Sequence, residues 1–207
     1  MSRPAGTMAR RYREGIGLIL LALAAILLQR SATAPWMSGH GSDGARYEVS
    51  PIGLTRFDAP GATGVACRWW PRLGDTDLCA IADAGSFVWL RRAYPFTVLA
   101  LWTAVLALFL NALRVPRRRT TVRTVATAAV PALSLLALWC LFVAGPRALA
   151  AIAQMPVRPL AGGFGLMATA TAMAGAAFAL LVASRPGEPR LAVGDGSPSG
   201  APVGHGL

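Results

Sequence analysis

Four apolar runs leave this chain few folds to choose from. They are Gly15–Leu28, Ala93–Leu113, Thr124–Val143 and Leu160–Ala183. A helix needs about 20 apolar residues to cross a hydrocarbon core. The last three runs meet that length, and none of them holds Asp, Glu, Lys, Arg or His. Only 14% of all residues are charged, where a soluble domain carries about 25%. The expected fold class is therefore an all-α four-helix transmembrane bundle. A polar stretch containing Cys67 and Cys79 separates the first two runs. It is expected to form a small, disulfide-stapled, β-rich domain outside the cytoplasm.

The net charge of +11 does not point to nucleic acid. The chain has no lysine, and its arginines cluster beside the apolar runs, as the positive-inside rule of membrane insertion requires. Arg3, Arg10, Arg11 and Arg13 precede the first run. Arg114, Arg117, Arg118, Arg119 and Arg123 lie between the second and third, and Arg185 and Arg190 follow the fourth. With four alternating helices all of these fall on one side. Asp43, Glu48, Asp58, Asp75, Asp77 and Asp83 fall on the other, whose short loop carries Arg147 and Arg158. Arg30, Arg91 and Arg92 weaken this bias without reversing it. Both termini are therefore expected in the cytoplasm. Lysine-free, Ala-, Gly-, Pro- and Arg-rich composition points to a GC-rich bacterial source, and so to the inner membrane. Tyr12, Trp36, Trp89 and Tyr94 are expected at membrane boundaries.

The expected layout has cytoplasmic tails over 1–14 and 185–207, the second of them disordered. Spans cover 15–30, 91–113, 124–144 and 160–184. An outer β-rich domain covers 31–90, a basic cytoplasmic loop 114–123 and a short outer loop 145–159. The first run is only fourteen residues long and follows a basic region, which is also the form of a signal peptide. Ala32–Ala34 even supplies an A-x-A site, but Pro35 follows it and restricts the backbone before it. A retained anchor is expected, with cleavage as the alternative.

Within the outer domain, Ala32–Gly44 reads as a linker rich in Ser, Gly, Ala and Pro. Tyr47–Phe57 reads as a strand that Pro51 confines to an edge or a bulge. Val65–Trp70 and Asp77–Ala82 flank a turn and read as a hairpin bringing Cys67 to face Cys79. Two unpaired thiols are the plain alternative. A redox pair is disfavoured because no C-x-x-C occurs. Cys140 lies in the third run, out of reach, and reads as a small apolar core residue.

A tetraspan layout with a long first outer loop holding two cysteines resembles the claudin/PMP22 superfamily. That family carries W-…-G-L-W-…-C-…-C in this loop and a basic residue before the second helix. This chain has Trp36, Gly53, Leu54, Cys67, Cys79 and Arg91 in corresponding order. Thr55 replaces the second signature tryptophan, about twelve residues separate it from Cys67, and Trp69 and Trp70 follow that cysteine instead. The resemblance implies a four-helix left-handed bundle under an extracellular sheet, and a role in lateral or cell–cell contacts rather than catalysis.

The fourth run is rich in small residues: Gly163, Gly165, Ala168, Ala172, Gly175, Ala176 and Ala179. Such residues let helices approach closely in lipid, either within this bundle or against a second protein. Self-association through this face is thus one expected partnership, beside the bilayer itself. Pro131 is expected to kink the third span, and Pro146 to start a short interfacial helix running to Gln154.

The spans lack the ionisable residues that transporters use. They also lack any Ser–His, paired-aspartate or metal constellation. Asn111 reads as a helix-end residue. Asp75-Thr76-Asp77 has the spacing of a metal-binding D-x-D, but beside Gly74 it reads better as a solvated turn. His40 with Asp43 and Glu48 offers at most a weak metal set, and His205 stands alone in the tail. No catalytic residue, cofactor or metal site is expected. The expected function is adhesion, scaffolding or accessory-subunit binding through the outer domain. The alternative is a small transporter or channel component that builds its pathway by oligomerising.

Overall fold

In a computed structural model, residues 5–69, 71–82, 87–113, 120–150, 158–159 and 161–184 are described. Expectations for Trp70, Asp83, Arg114–Arg119, Gln154 and the tail from 185 lie outside these residues, as do those for the Trp89 and Arg158 side chains. Among the described residues four helices are long and apolar enough to span a membrane: α1 (Ala5–Thr33), α3 (Val88–Ala112), α4 (Thr120–Ala150) and α5 (Ala161–Ala183). The candidate spans within them are Met8–Thr33, Leu90–Ala112, Thr121–Ala148 and Gly162–Ala183. By the length and composition of its helices this is a multi-pass membrane protein. A short helix, α2 (Thr76–Ala82), belongs to the connection between the first two spans.

The spans close into a four-membered ring. α1 packs against α5 and α3, and α4 packs against the same two neighbours. Each buries residues at alternating steps of three and four. On α3 these are Leu90, Ala93, Thr97, Ala100, Ala104, Ala107 and Asn111. On α5 they are Met167, Ala170, Ala174, Ala177 and Leu181. This is the 3.5-residue spacing of a helix seam. Alanine dominates it because lipid offers no hydrophobic drive to associate, so stability comes from close backbone approach. The outer faces of α1, α3 and α4 expose large side chains such as Ile19, Trp102, Phe109, Leu135 and Phe142.

Asn111 does more than end a helix. Its Nδ2 donates to Ala107 O on its own helix (2.7 Å) and to Thr127 Oγ1 on α4 (3.3 Å). It is a polar tie between two spans, of the kind worth about 0.6 kcal/mol in lipid.

A six-stranded antiparallel sheet sits at one end of the bundle, in the order β5-β4-β3-β2-β1-β6. The strands are β1 (Met37–His40), β2 (Arg46–Ser50), β3 (Gly53–Phe57), β4 (Val65–Trp69), β5 (Arg72–Gly74) and β6 (Arg158–Pro159). The first five come from the α1–α3 connection. The two residues of β6 come from the α4–α5 connection and pair with Met37 and Ser38.

Several local expectations are corrected. Ala32–Gly44 is not a linker, because it holds the end of α1 and all of β1. Tyr47–Phe57 is two strands, with Pro51 and Ile52 as the turn between Ser50 and Gly53. Asp77–Ala82 is helical. Asp75 caps α2, its Oδ1 accepting the Leu78 N–H at 2.9 Å, the usual N-cap bond. Leu78 and Cys79 are adjacent and both buried, which a strand with one covered face cannot provide. β5 therefore takes the place beside β4. α4 runs through Pro131 and past Pro146 to Ala150, so Pro146 lies inside this helix and does not begin another.

Trp36 does not turn its polar tip to solvent. It is wholly buried. Its indole Nε1 donates to Ser31 O (2.7 Å) and its backbone N–H to Val49 O (2.8 Å). The ring meets Phe164 edge-on at 6.4 Å. It also occupies the space that a side chain at Gly163 would need. Trp36→Ala should destabilise the fold by about 3–5 kcal/mol. Gly163→Ala should cost about 1–3 kcal/mol through overpacking. Both are measurable in detergent as earlier exposure, on heating, of the buried free thiol of Cys140.

Candidate functional site on the extramembrane sheet

Strand register divides the sheet into two faces. Met37, Val49, Leu54 and Cys67 stand directly opposite one another across four strands, and all four are buried. This row faces the bundle end, where Met37 fills the space beside Gly145 of α4. The next row on the opposite face is Ser38, Glu48, Thr55 and Ala66, polar but for Ala66 and partly or wholly exposed. Antiparallel sheets with one face on a core show this alternation.

Cys67 and Cys79 form a disulfide, with Cα atoms 5.2 Å apart. It fastens α2 to β4. Among the described residues, buried Leu54 pairs with Cys67 and buried Leu78 precedes Cys79, and the Trp69 and Phe87 ring centroids are 6.5 Å apart. Closing a loop of this sequence separation, 12, is worth about 3 kcal/mol in the chain-entropy model. Two glycines let the neighbouring chains approach β4. A Cβ at Gly53 would overlap the Cys67 carbonyl, and one at Gly74 (φ +133°) the Ala66 carbonyl.

The residues that carry the claudin-like pattern lie along one path. Trp36 bonds to Val49, Val49 pairs with Leu54, Leu54 with Cys67, and Cys67 with Cys79. Gly53 adjoins Leu54 and pairs with Arg68. Arg91 sits apart, half-buried in the first turn of α3.

The far end of the sheet consists of two connections, Gly41–Ala45 and Asp58–Gly64, whose residues are mostly exposed. A charged network braces them. Arg56 Nη2 lies 3.1 Å from Asp43 Oδ2, and Arg56 Nε lies 2.8 Å from Asp58 Oδ1. Tyr47 Oη donates to Asp43 Oδ2 (3.2 Å), and Asp43 Oδ1 accepts the Ala45 N–H (3.0 Å). The Arg56 guanidinium also stands over the Tyr47 ring, 6.0 Å from its centroid. Arg56 thus ties the first connection to the second. Sequence reasoning missed this group. Recognising the Pro51–Ile52 turn would have found it, because that turn sets Tyr47 opposite Arg56.

These contacts shift the groups involved. The Ala45 N–H is the main cause holding the Asp43 carboxyl below its ordinary 3.8, helped by Tyr47 and Arg56 against burial. Burial is the main cause raising Tyr47 above 10.0. Arg56 is raised chiefly by its charge interaction with Tyr47. These are exposed ion pairs, which solvent and salt screen. Their effect is to order the connections more than to stabilise the fold.

Among the described residues no three His, Cys, Asp or Glu side chains gather as a metal would need. His40 lies opposite Arg46, which pairs with Glu48, while Asp43 is held by Arg56. Asp75 and Asp77 belong to the first turn of α2. What the sheet provides is a largely polar outer face on the side turned away from the bundle end.

Two outcomes follow. Cys67→Ser should destabilise the sheet by about 3 kcal/mol and leave the spans inserted. Denatured wild-type protein should label at Cys140 alone until reductant is added. The second outcome concerns acid. Folding lowers the Asp43 pKa, so its contribution is complete above about pH 4 and is lost as pH falls through the lowered folded value. The thermal midpoint of wild type should therefore drop at acid pH by more than that of Asp43→Asn.

A comparison with models of known protein families finds no match to this chain, and a comparison with curated proteins finds none either.

Proposed function

We propose that this chain is a non-enzymatic adhesion or scaffold protein, or an accessory subunit, of a bacterial inner membrane. Its sheet lies outside the cytoplasm and both termini lie inside. One observation carries the reading. The sheet is fixed to the bundle through Trp36, and its two far connections are braced by Arg56, so a polar surface is held in one orientation. Such pre-organisation lowers the ordering cost of binding a partner. The arginine bias supports the orientation. The sheet above four spans, with strands from both connections on its end, supports kinship with the claudin/PMP22 superfamily, as does the Trp36-to-Cys79 path.

A lateral contact is the second part of the reading, and α5 favours it. Gly165, Thr169, Ala172, Ala176 and Ala179 form a stripe at steps of three and four, turned away from the bundle and partly or wholly exposed. Among the described residues Val182 is the one large apolar side chain that α5 exposes. A second copy packing along this stripe supplies the close backbone approach that small residues permit. The same contact is what a pathway built by oligomerisation would need.

Alkaline phosphatase fused after Asp58 should be active, and fused after Arg118 inactive; the reverse pattern overturns the orientation. Ala172→Leu with Ala176→Leu should convert a dimer or higher species in mild detergent to monomer, read by native mass. A wild-type protein that is monomeric there removes the lateral contact from the proposal.

A further inference from the structure

A groove of about 210 Å3 opens on the polar face of the sheet, where that face meets the end of α1. Its walls include Thr33 of α1, Glu48 and Ser50 of β2, Gly53 and Thr55 of β3, and Arg68 of β4. We propose that it binds a small zwitterion joining an ammonium to a phosphate, the chemistry of an ethanolamine-type headgroup.

Charge placement carries the argument. Register puts Glu48 in one row with Thr55, and Arg68 in the next row with Ser50 and Gly53. The carboxylate and the guanidinium thus stand at opposite corners, two strands or roughly 10 Å apart at the backbone. The Glu48 side chain is only 16% exposed and lies against the wall. Its Oε1 takes Arg46; among the described residues Oε2 has no partner and remains to accept from an ammonium. Arg68 is exposed and, among the described residues, makes no ion pair. A guanidinium binds phosphate through parallel charge-assisted bonds.

Between the corners lie the hydroxyls of Ser50 and Thr55 and the side-chain-free Gly53, with Ile52 and Ala66 beside them. Ser50 Oγ donates to Gly53 O at 3.3 Å, and Thr33 Oγ1 to Arg30 O at 3.3 Å. Both oxygens keep lone pairs for a ligand's donors. Drug-sized ligands need about 300 Å3 or more. This groove is smaller and matches a headgroup. Position matters too: Thr33 is the last residue of the first candidate span. The lower lip of the groove therefore adjoins the end of that candidate span. A purely anionic headgroup would bring its charge beside Glu48 with no ammonium to offset it, so a zwitterion is selected.

The test uses the full chain in nanodiscs holding equal phosphatidylethanolamine and phosphatidylglycerol. Lipids retained after gentle extraction are counted by native mass. Wild type should keep at least fivefold more of the ethanolamine lipid. Arg68→Gln should cut that retention at least fivefold, with the thermal midpoint and the Cys67–Cys79 bridge unchanged. Glu48→Gln should abolish the preference for the ethanolamine lipid, and Asp77→Asn on α2 should behave as wild type. Displacement by soluble phosphoethanolamine identifies a site open to the free zwitterion; no displacement identifies a lipid site. Equal retention of both lipids by wild type overturns the proposal, as does wild-type retention by a folded Arg68→Gln. If Glu48→Gln fails to fold, Arg68→Gln decides alone, since Arg68 supports no ion pair among the described residues.

Discussion

The buried indole of Trp36 fixes how the two parts of this molecule sit on each other. A bilayer dictates that helices span it, but it does not dictate where a sheet outside it stands. Here one residue speaks to three elements. It closes the end of α1 through Ser31 O, joins the sheet through Val49 O and packs on Phe164 of α5. Each bond satisfies a buried polar group that would cost about 1–3 kcal/mol unpaired. Tilting the sheet would break several of these contacts together. The absence of a side chain at Gly163 is part of the same joint, and there the Gly163 N–H donates to Pro35 O at 3.1 Å.

Further attachments spread from that point. Met37, the next residue, inserts beside Gly145 of α4, and β6 closes the sheet edge with residues from the α4–α5 connection. On the far side of the sheet the Cys67–Cys79 bridge holds α2 over a thin core. The division of labour is physical. Near Trp36 the sheet borrows the bundle as its core. Away from it, among the described residues, the sheet has little apolar surface to bury, so a covalent staple supplements packing while the Arg56 network orders the connections. A domain this small needs such help.

What was legible in the sequence was what depends on composition and short spacing. Uncharged runs of sufficient length revealed the spans, and the paired cysteines revealed that their connection was structured. What was not legible depended on pairing at a distance. Met37–His40 lies among Ser and Gly and has little strand character, yet it pairs with the β2 residues Arg46–Val49. Pro51-Ile52 carries none of the Asn-Gly or Asp-Gly signature of a two-residue turn, so the sequence of this hairpin reads as one interrupted strand. Asp77–Ala82 gave its helix away only through the Asp75 cap and the adjacent burial of Leu78 and Cys79. The site residues followed the same rule. Cysteines and tryptophan were visible singly, whereas Arg56 gains its role only once the hairpin sets it over Tyr47.

α5 shows why small residues alone are an ambiguous signal. The helix carries two seams with the same three-and-four spacing, one inward through Ala170, Ala174 and Ala177, and one outward through Ala172, Ala176 and Ala179. Sequence cannot rank them, since both are alanine-rich and neither is charged. Only the ring of helices assigns the first to the bundle and leaves the second facing out. A lipid-facing surface has no reason to be small: α3 and α4 present Trp102, Phe109, Trp139 and Phe142 there. Large side chains fill the outer surface of a span at no packing cost, so a helix that omits them gives up dispersion contacts with lipid. That loss is recovered where another backbone comes close. The two-seamed helix thus packs on its own bundle through one seam and turns the other outward, where the lateral contact proposed above would form.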